Sequence, residues 1–311
     1  VGSVLSNTVP LALVTLLLVN AALLSNALPA SCWSNGGFST DPSTPKYGTH
    51  DWVAQHALDW LPQQEKQFIL DNLASFLLGT ELPDSSQPPD GMNDRPKHHV
   101  YYFSDGALKD DAAGARAQQE YENAAVAVLS GDVGAVCRRL GAMCHYIADV
   151  AVFGHVMGAE TAWGAEDDQH HSGYETYVNN RTDQYDDEFS LFLTFDGRLE
   201  NVTARDAALA IAYDTTFDVD GDLTCVWMNQ NYDWGSQTFE DRCGESLNLA
   251  VNVIADVLHT FWLAQMVPEF PSLLAVSLVI LPSLALVLCA KKLTGARLLK
   301  RRLVPSHSRS L

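Results

Sequence analysis

The chain is expected to fold as an all-α domain, on three grounds. Apolar residues recur at three- and four-residue intervals through most of the chain. Strand-like alternation is confined to Val100 to Phe103. Gly, Pro, Ser and Asp gather between the periodic runs, as turn chemistry requires. The runs follow in order: His50 to Leu61 and Gln64 to Leu78, broken at Pro62. Ala112 to Leu129 and Val133 to Val152 come next, separated by Ser130-Gly131-Asp132, where the Asp can cap the helix behind it. Tyr174 to Asn180, Ala204 to Thr215 and Gln237 to Met266 complete the set. The loops Asp84 to Lys97 and Ala159 to His170 are long, and loops of that length are more often functional than idle.

Both ends of the 311-residue chain read as specialised, which leaves residues 33–266 as one globular domain. Residues 1–32 resemble a secretory signal: an apolar stretch from Val9 to Leu24, then Ala30-Ser31-Cys32 with small residues where cleavage needs them. Acylation of Cys32 is the rival reading, and Pro29 weakens it. Residues 267–271 form a linker, and residues 272–290 are nineteen positions without a charge, long enough for a bilayer core. Residues 291–311 contain Lys291-Lys292 and Lys300-Arg301-Arg302, so they predict a cytoplasmic tail with everything upstream outside the cell. Pro268-Glu269-Phe270-Pro271 before the span resembles the archaeal Pro-Glu-Phe type of C-terminal sorting signal, which implies exchange of the span for a lipid anchor.

Charge narrows the partners. All thirty-eight Asp and Glu but only twelve of the nineteen Lys and Arg lie in residues 1–290, a net −26. Such a surface repels phosphate backbones and disfavours nucleic acid. With 47% hydrophobic residues the chain is not globally disordered. Cys137 and Cys144 lie about 10 Å apart along one helix, too far to bridge, and read as buried small apolar residues. Cys225 and Cys243 could pair. Asn180-Arg-Thr and Asn201-Val-Thr are glycosylation sequons, consistent with export.

The chemistry is concentrated between Gly141 and Val178. His145 and Asp149, four apart, share a helix face, so an imidazole nitrogen and a carboxylate can meet one ion. His171 and Glu175 repeat the arrangement, and His155 follows Gly154, where a helix can end and redirect a side chain. Imidazole with carboxylate is a ligand set that zinc accepts. Burying His and Asp in an apolar helix without partners would cost several kcal/mol, which a metal would offset.

The pattern His145-x3-Asp149-x5-His155, a loop, then His171-x3-Glu175 resembles the zinc-dependent phospholipase C family. It departs in a slightly longer loop and in Val152-Phe-Gly-His155, where bacterial members usually carry Pro before the His. The resemblance extends upstream to Thr49-His50-Asp-Trp, to the loop carboxylate Asp84 and to His98-His99. Position relative to Asp105-Gly106 favours His99, with His98 as the alternative. In that family the first mature residue is a Trp whose free amine and carbonyl bind zinc, a role that cleavage after Cys32 would give Trp33.

The resemblance implies three zinc ions. One takes Asp84, His99, His145 and Asp149; a second takes His155, His171 and Glu175; a third takes the Trp33 terminus and His50, with Asp149 bridging. It implies an extracellular, membrane-anchored phosphodiester hydrolase of phospholipase C type acting on phospholipid, with Asp84 as general base. Two other functions compete. Single-strand nucleases or nucleotidases share the fold and the trinuclear site but usually end the second motif in Asp, where this chain has Glu175. A non-catalytic, zinc-stabilised surface protein would retain the metals without turnover. His56 and His259 read as packing residues. Asp218-Val-Asp220-Gly-Asp222 resembles part of a calcium loop that lacks its later ligand and its helix.

Overall fold

The computed structural model describes residues 39–86, 91–164 and 168–267. The fold is built from helices, with one two-stranded hairpin as its sheet among the described residues. In chain order these are α1 (Thr49–Ala57), α2 (Gln63–Leu70), α3 (Leu73–Glu81), β1 (Tyr101–Tyr102), β2 (Leu108–Asp110), α4 (Ala112–Ser130) and α5 (Val133–Asp149). There follow α6 (Phe153–Val156), α7 (Asp168–Asn179), α8 (Ala204–Phe217), α9 (Cys225–Gln230) and α10 (Gln237–Phe261). Short 3-10 turns stand at Leu58–Trp60, Arg95–Lys97 and Glu188–Phe192.

The sequence explains most boundaries. Asp132 caps α5 by accepting from the Ala135 N–H at 2.9 Å, and Gly131 between α4 and α5 takes the left-handed conformation, φ 72°, that ends a helix cheaply. Thr203 and Thr224 cap α8 and α9 in the same way as Asp132. The run expected from Gln64 to Leu78 is two helices, because Asn72 leaves helical geometry and restarts the chain as α3. Helix α7 is described from Asp168, ahead of the run that periodicity indicated, and so takes in His171 as its fourth described residue. Helix α9 and the partner strand β2 carry too few residues to show a period and were not anticipated.

Helix α5 sits at the centre. It packs most extensively on α4 and α3, and also touches α1, α8 and α10. Its contact with α3 is a glycine crossing: a Cβ on Gly79 would lie 2.2 Å from the Arg138 carbonyl oxygen, and one on Gly141 would lie 2.0 Å from that of Phe76. Two backbones can approach this closely only without side chains between them. Helix α10 supplies Phe239, Leu247, Val251, Ile254 and Phe261 to the core. With the π turn Trp262–Met266 it is long and apolar enough to cross a membrane by length and composition, and in the domain it is a core helix.

The described residues through Leu263 form one compact unit. The expected signal (1–32), the sorting motif and the span (272–290) with its basic tail lie outside the described residues. Cys137, Cys144, Cys225 and Cys243 are buried free thiols, so the pairing open to Cys225 and Cys243 is not made. Cys243 instead accepts a hydrogen bond from the Tyr174 hydroxyl at 3.1 Å. His56 and His259 are packing residues: His56 lies between Asp59 and the Tyr185 carbonyl, each at 2.8 Å, and His259 meets Glu65 at 2.6 Å.

Candidate metal centre

The C-terminal half of α5 presents His145 and Asp149 side by side, with Nε2 and Oδ2 3.0 Å apart. The glycine crossing sets how His145 is used. It brings the end of α3 close enough for His145 Nδ1 to donate to the Thr80 carbonyl at 2.7 Å. A carbonyl only accepts, so Nδ1 carries the proton and Nε2 turns its lone pair toward Asp149.

Asp149 is a hub. Its Oδ1 lies 3.3 Å from His50 Nε2 and 3.7 Å from His155 Nε2. Its Oδ2 lies 2.9 Å from His98 Nδ1 as well as beside His145. His50 arrives from the first turn of α1, stacked on the His145 ring at 3.8 Å. That turn is anchored by the next residue. Asp51 accepts from the Gly48 N–H at 3.1 Å and from the Thr80 hydroxyl at 2.9 Å, tying α1 to the same turn of α3 that holds His145. Burial pushes the Asp51 carboxyl well above its usual range. Asp84, from the loop after α3, completes this half, its Oδ1 3.7 Å from His98 Nδ1 and 3.6 Å from Arg95 Nε.

The other half is a separate cluster. His171 Nε2 meets Glu175 Oε1 at 2.8 Å across one turn of α7, and His155 Nε2 lies 3.3 Å from the same oxygen. Gly154 makes room for it. A Cβ there would stand 2.6 Å from the His171 ring, so the one-turn helix α6 abuts the imidazole directly. Three groups of donor atoms thus lie within 4.8 Å of one another: His50, Asp84 and His145; His98, His145 and Asp149; His155, His171 and Glu175.

The donor chemistry fits metal ions. All eight residues of these groups are buried. Asp84 Oδ1, both oxygens of Asp149 and His155 Nε2 make no hydrogen bond, although donors and acceptors crowd around them. Buried carboxylate oxygens facing imidazole nitrogens at 2.9–3.7 Å without a hydrogen bond are costly unless a cation stands among them. Burial lowers His171 to about 4 and holds His155 well below its usual value, which keeps both rings neutral and able to donate a lone pair. Burial would raise Asp149, but His145, His50, His98 and His155 more than offset it and hold the carboxyl well down. Burial would lower His98, yet Asp149, Asp94 and Asp84 together raise it to about 10. A ring surrounded by that much negative charge is where a cation of either kind is stabilised.

One expected residue is replaced. His98, 1% exposed, is the histidine of the cluster, and His99 is not. His99 turns the other way, stacked on Tyr101 at 4.1 Å with Nε2 3.2 Å from Asp110. Neighbouring residues in a non-helical segment point to opposite sides, so only one of the pair can face inward. The 3-10 turn Arg95–Lys97, with Pro96 inside it, runs directly into His98. The grouping also differs from the expected one, since His50 stands with Asp84 and His145. Trp33 lies outside the described residues. Thr80 and Asp51 were not anticipated, because each acts through a contact distant in sequence; Gly154, expected to end a helix and redirect His155, also leaves the space that the His171 ring fills.

Residues 49–222 match the family model of zinc dependent phospholipase C. Among solved structures, the alpha toxin from Clostridium absonum is similar at 17% identity and a TM-score of 0.47, over 75% of this chain and 66% of that one. The alpha-toxin of Clostridium perfringens from an avian strain is similar at 16% identity and a TM-score of 0.49, over 75% of this chain and 67% of that one. The chain thus spans about two thirds of the length of these toxins. A search of curated protein sequences returned no match.

Proposed function

The chain belongs to the zinc-dependent phospholipase C family, and from that premise we propose that it is a membrane-anchored phospholipase C working outside the cell. The observation that carries the reading is the set of three buried donor groups arranged around Asp149 and Glu175. In this reading His50, Asp84, His98, His145 and Asp149 hold two ions, with the Trp33 terminus as a further ligand. His155, His171 and Glu175 hold the third. When bound, zinc lowers the pKa of water and neutralises charge developing on the phosphate.

Asp84 is the residue best placed to take a proton. It is 8% exposed, whereas Asp149 and Glu175 are 0% and 1% exposed, so it is the carboxylate of the centre that solvent and substrate can reach. Asp149 and Glu175 are enclosed by imidazoles and serve to hold and orient. Export by residues 1–32, cleavage to a free Trp33 and anchoring through residues 272–290 would keep the site at the outer face of the membrane. There the anchor raises the local concentration of lipid phosphodiester.

The test is metal content together with hydrolysis by protein beginning at Trp33, beside its Asp84→Asn variant. The substrates are phosphatidylcholine, a soluble phosphodiester and single-stranded DNA. Three zincs per chain and lipid cleavage reduced on the order of 10²-fold or more in the variant support the reading. Cleavage of DNA in place of lipid moves the protein to the nuclease branch, and zinc without turnover makes the centre structural.

A further inference from the structure

The two ring nitrogens of His98 face different charges. Nδ1 faces the centre, 2.9 Å from Asp149 Oδ2 and 3.7 Å from Asp84 Oδ1. Nε2 faces outward, 3.6 Å from Asp94 Oδ1. That distance exceeds a hydrogen bond, so it is an ionic approach which a shift of a few tenths of an ångström would close.

Asp94 is itself held from several directions. Its Oδ1 accepts from the Tyr146 hydroxyl at 2.7 Å, and its Oδ2 accepts from Arg116 Nε at 2.7 Å. Its backbone N–H donates to the Pro83 carbonyl at 3.1 Å. Arg116 in turn donates to Tyr146 at 3.0 Å and to Glu120 at 2.9 Å. Glu120, 2% exposed, accepts from Arg139 at 3.0 Å. Arg139, Glu120, Arg116 and Asp94 therefore alternate in sign from the surface of α5 to the outer nitrogen of His98. Tyr146 directly follows His145 on α5, so one helix supplies both a donor of the centre and a clamp on Asp94. The Tyr146 ring also packs edge-on against the His98 ring, with centroids 5.3 Å apart.

From this geometry we infer that Asp94 is a positioning residue that keeps the proton of His98 on Nε2, so that Nδ1 is the nitrogen offered to metal. A carboxylate opposite the outer nitrogen fixes the tautomer, locks the ring angle and strengthens the ring as a ligand. The inference rests on the zinc reading given above and adds to it a residue that touches neither metal nor substrate. The competing account makes Asp94 only half of an ion pair that fastens the loop before β1 to α4.

Arg116→Ala separates the two accounts. It breaks that ion pair as thoroughly as Asp94→Ala does, yet leaves the carboxylate facing His98. In the full chain, zinc affinity is measured by chelator competition, and the His98 tautomer is read from long-range ¹H–¹⁵N spectra of the zinc-loaded protein, where the nitrogen not given to metal keeps the proton. Asp94→Ala is expected to weaken the binding of one zinc about 10- to 100-fold and to mix the tautomer. Arg116→Ala is expected to do less of both. Should Asp94→Ala fail to fold, Asp94→Asn keeps the shape, loses the charge and is held to the same expectation. Wild-type zinc affinity in the Asp94 variants, or equal losses in the Arg116 variant with the tautomer unchanged, would overturn the inference and leave the zinc reading intact. A wild-type chain that takes up no zinc would overturn both.

Discussion

Two parts of this molecule gather carboxylates, and they resolve the resulting repulsion in opposite ways. Around Asp149 the neighbours are imidazoles, and the oxygens are left without hydrogen bonds inside the protein. Around Asp214 and Asp218, in the pocket they line with Asp196, Asp220 and Glu245, the chain supplies its own cation. Arg242, 3% exposed on its side chain, donates to Asp214 at 2.9 Å and lies 3.8 Å from Asp218. Backbone groups complete the work: the Leu223 N–H donates to Asp218 at 2.6 Å and the Val219 N–H to Asp214 at 3.1 Å. The calcium-like spacing of Asp218, Asp220 and Asp222 therefore belongs to a self-satisfied turn. Acidity alone does not mark a metal site; buried carboxylate oxygens gathered among imidazole nitrogens do.

The sharpest way to break this contrast is Asp149→Ala. Removing the carboxylate that four imidazoles approach should release at least one zinc, and hydrolysis should fall on the order of 10³-fold, as metal analysis and kinetics would report. If Asp149→Ala keeps its full metal content, the hub is not a hub. The matching change in the other region is Arg242→Met. It should leave zinc content as it was while costing about 3–5 kcal/mol in denaturant unfolding, since it strands two carboxylates by a buried pair. Loss of zinc from that variant would mean that the two regions are coupled.

A finer cut falls within the metal centre. Gly154→Ala pushes on the His171 ring, so it should cost about 1–3 kcal/mol and selectively weaken the ion held by His155, His171 and Glu175. Calorimetric titration would resolve one weakened site beside two ordinary ones.

Acid acts on the same half of the centre without any substitution. His171 has a folded value of about 4 against 6.5 for the free side chain, so between these values the unfolded chain binds the proton that the folded chain refuses. Stability of the metal-free protein should accordingly decline as pH falls from about 6.5 toward 4, by up to about 3 kcal/mol or roughly 6–12 °C in thermal midpoint. His155 and His50, also lowered by burial, add to the decline, so His171→Phe should make it shallower without abolishing it, and an unchanged slope would assign it to them alone.

Short-range geometry governs everything that was legible in the order of residues alone. A period near 3.6 marked α1, α4, α5, α8 and α10, and spacing of four placed His145 with Asp149 and His171 with Glu175, because a helix fixes which residues share a face. The tertiary structure decided everything that required two distant segments to meet. It chose His98 over the adjacent His99, since the two point to opposite sides and only the approach of α5 makes one side the inside. It assigned the proton of His145 through a Thr80 carbonyl sixty-five positions away, reached only because Gly79 and Gly141 let two backbones touch. It set Asp94 behind His98, a carboxylate whose charge is visible in the chain but whose partners come from α4 and α5. It also gave the Asp218 turn its answering cation from α10. Periodicity is a property of one helix, whereas compensation of buried charge belongs to the packed core, and no local pattern encodes it.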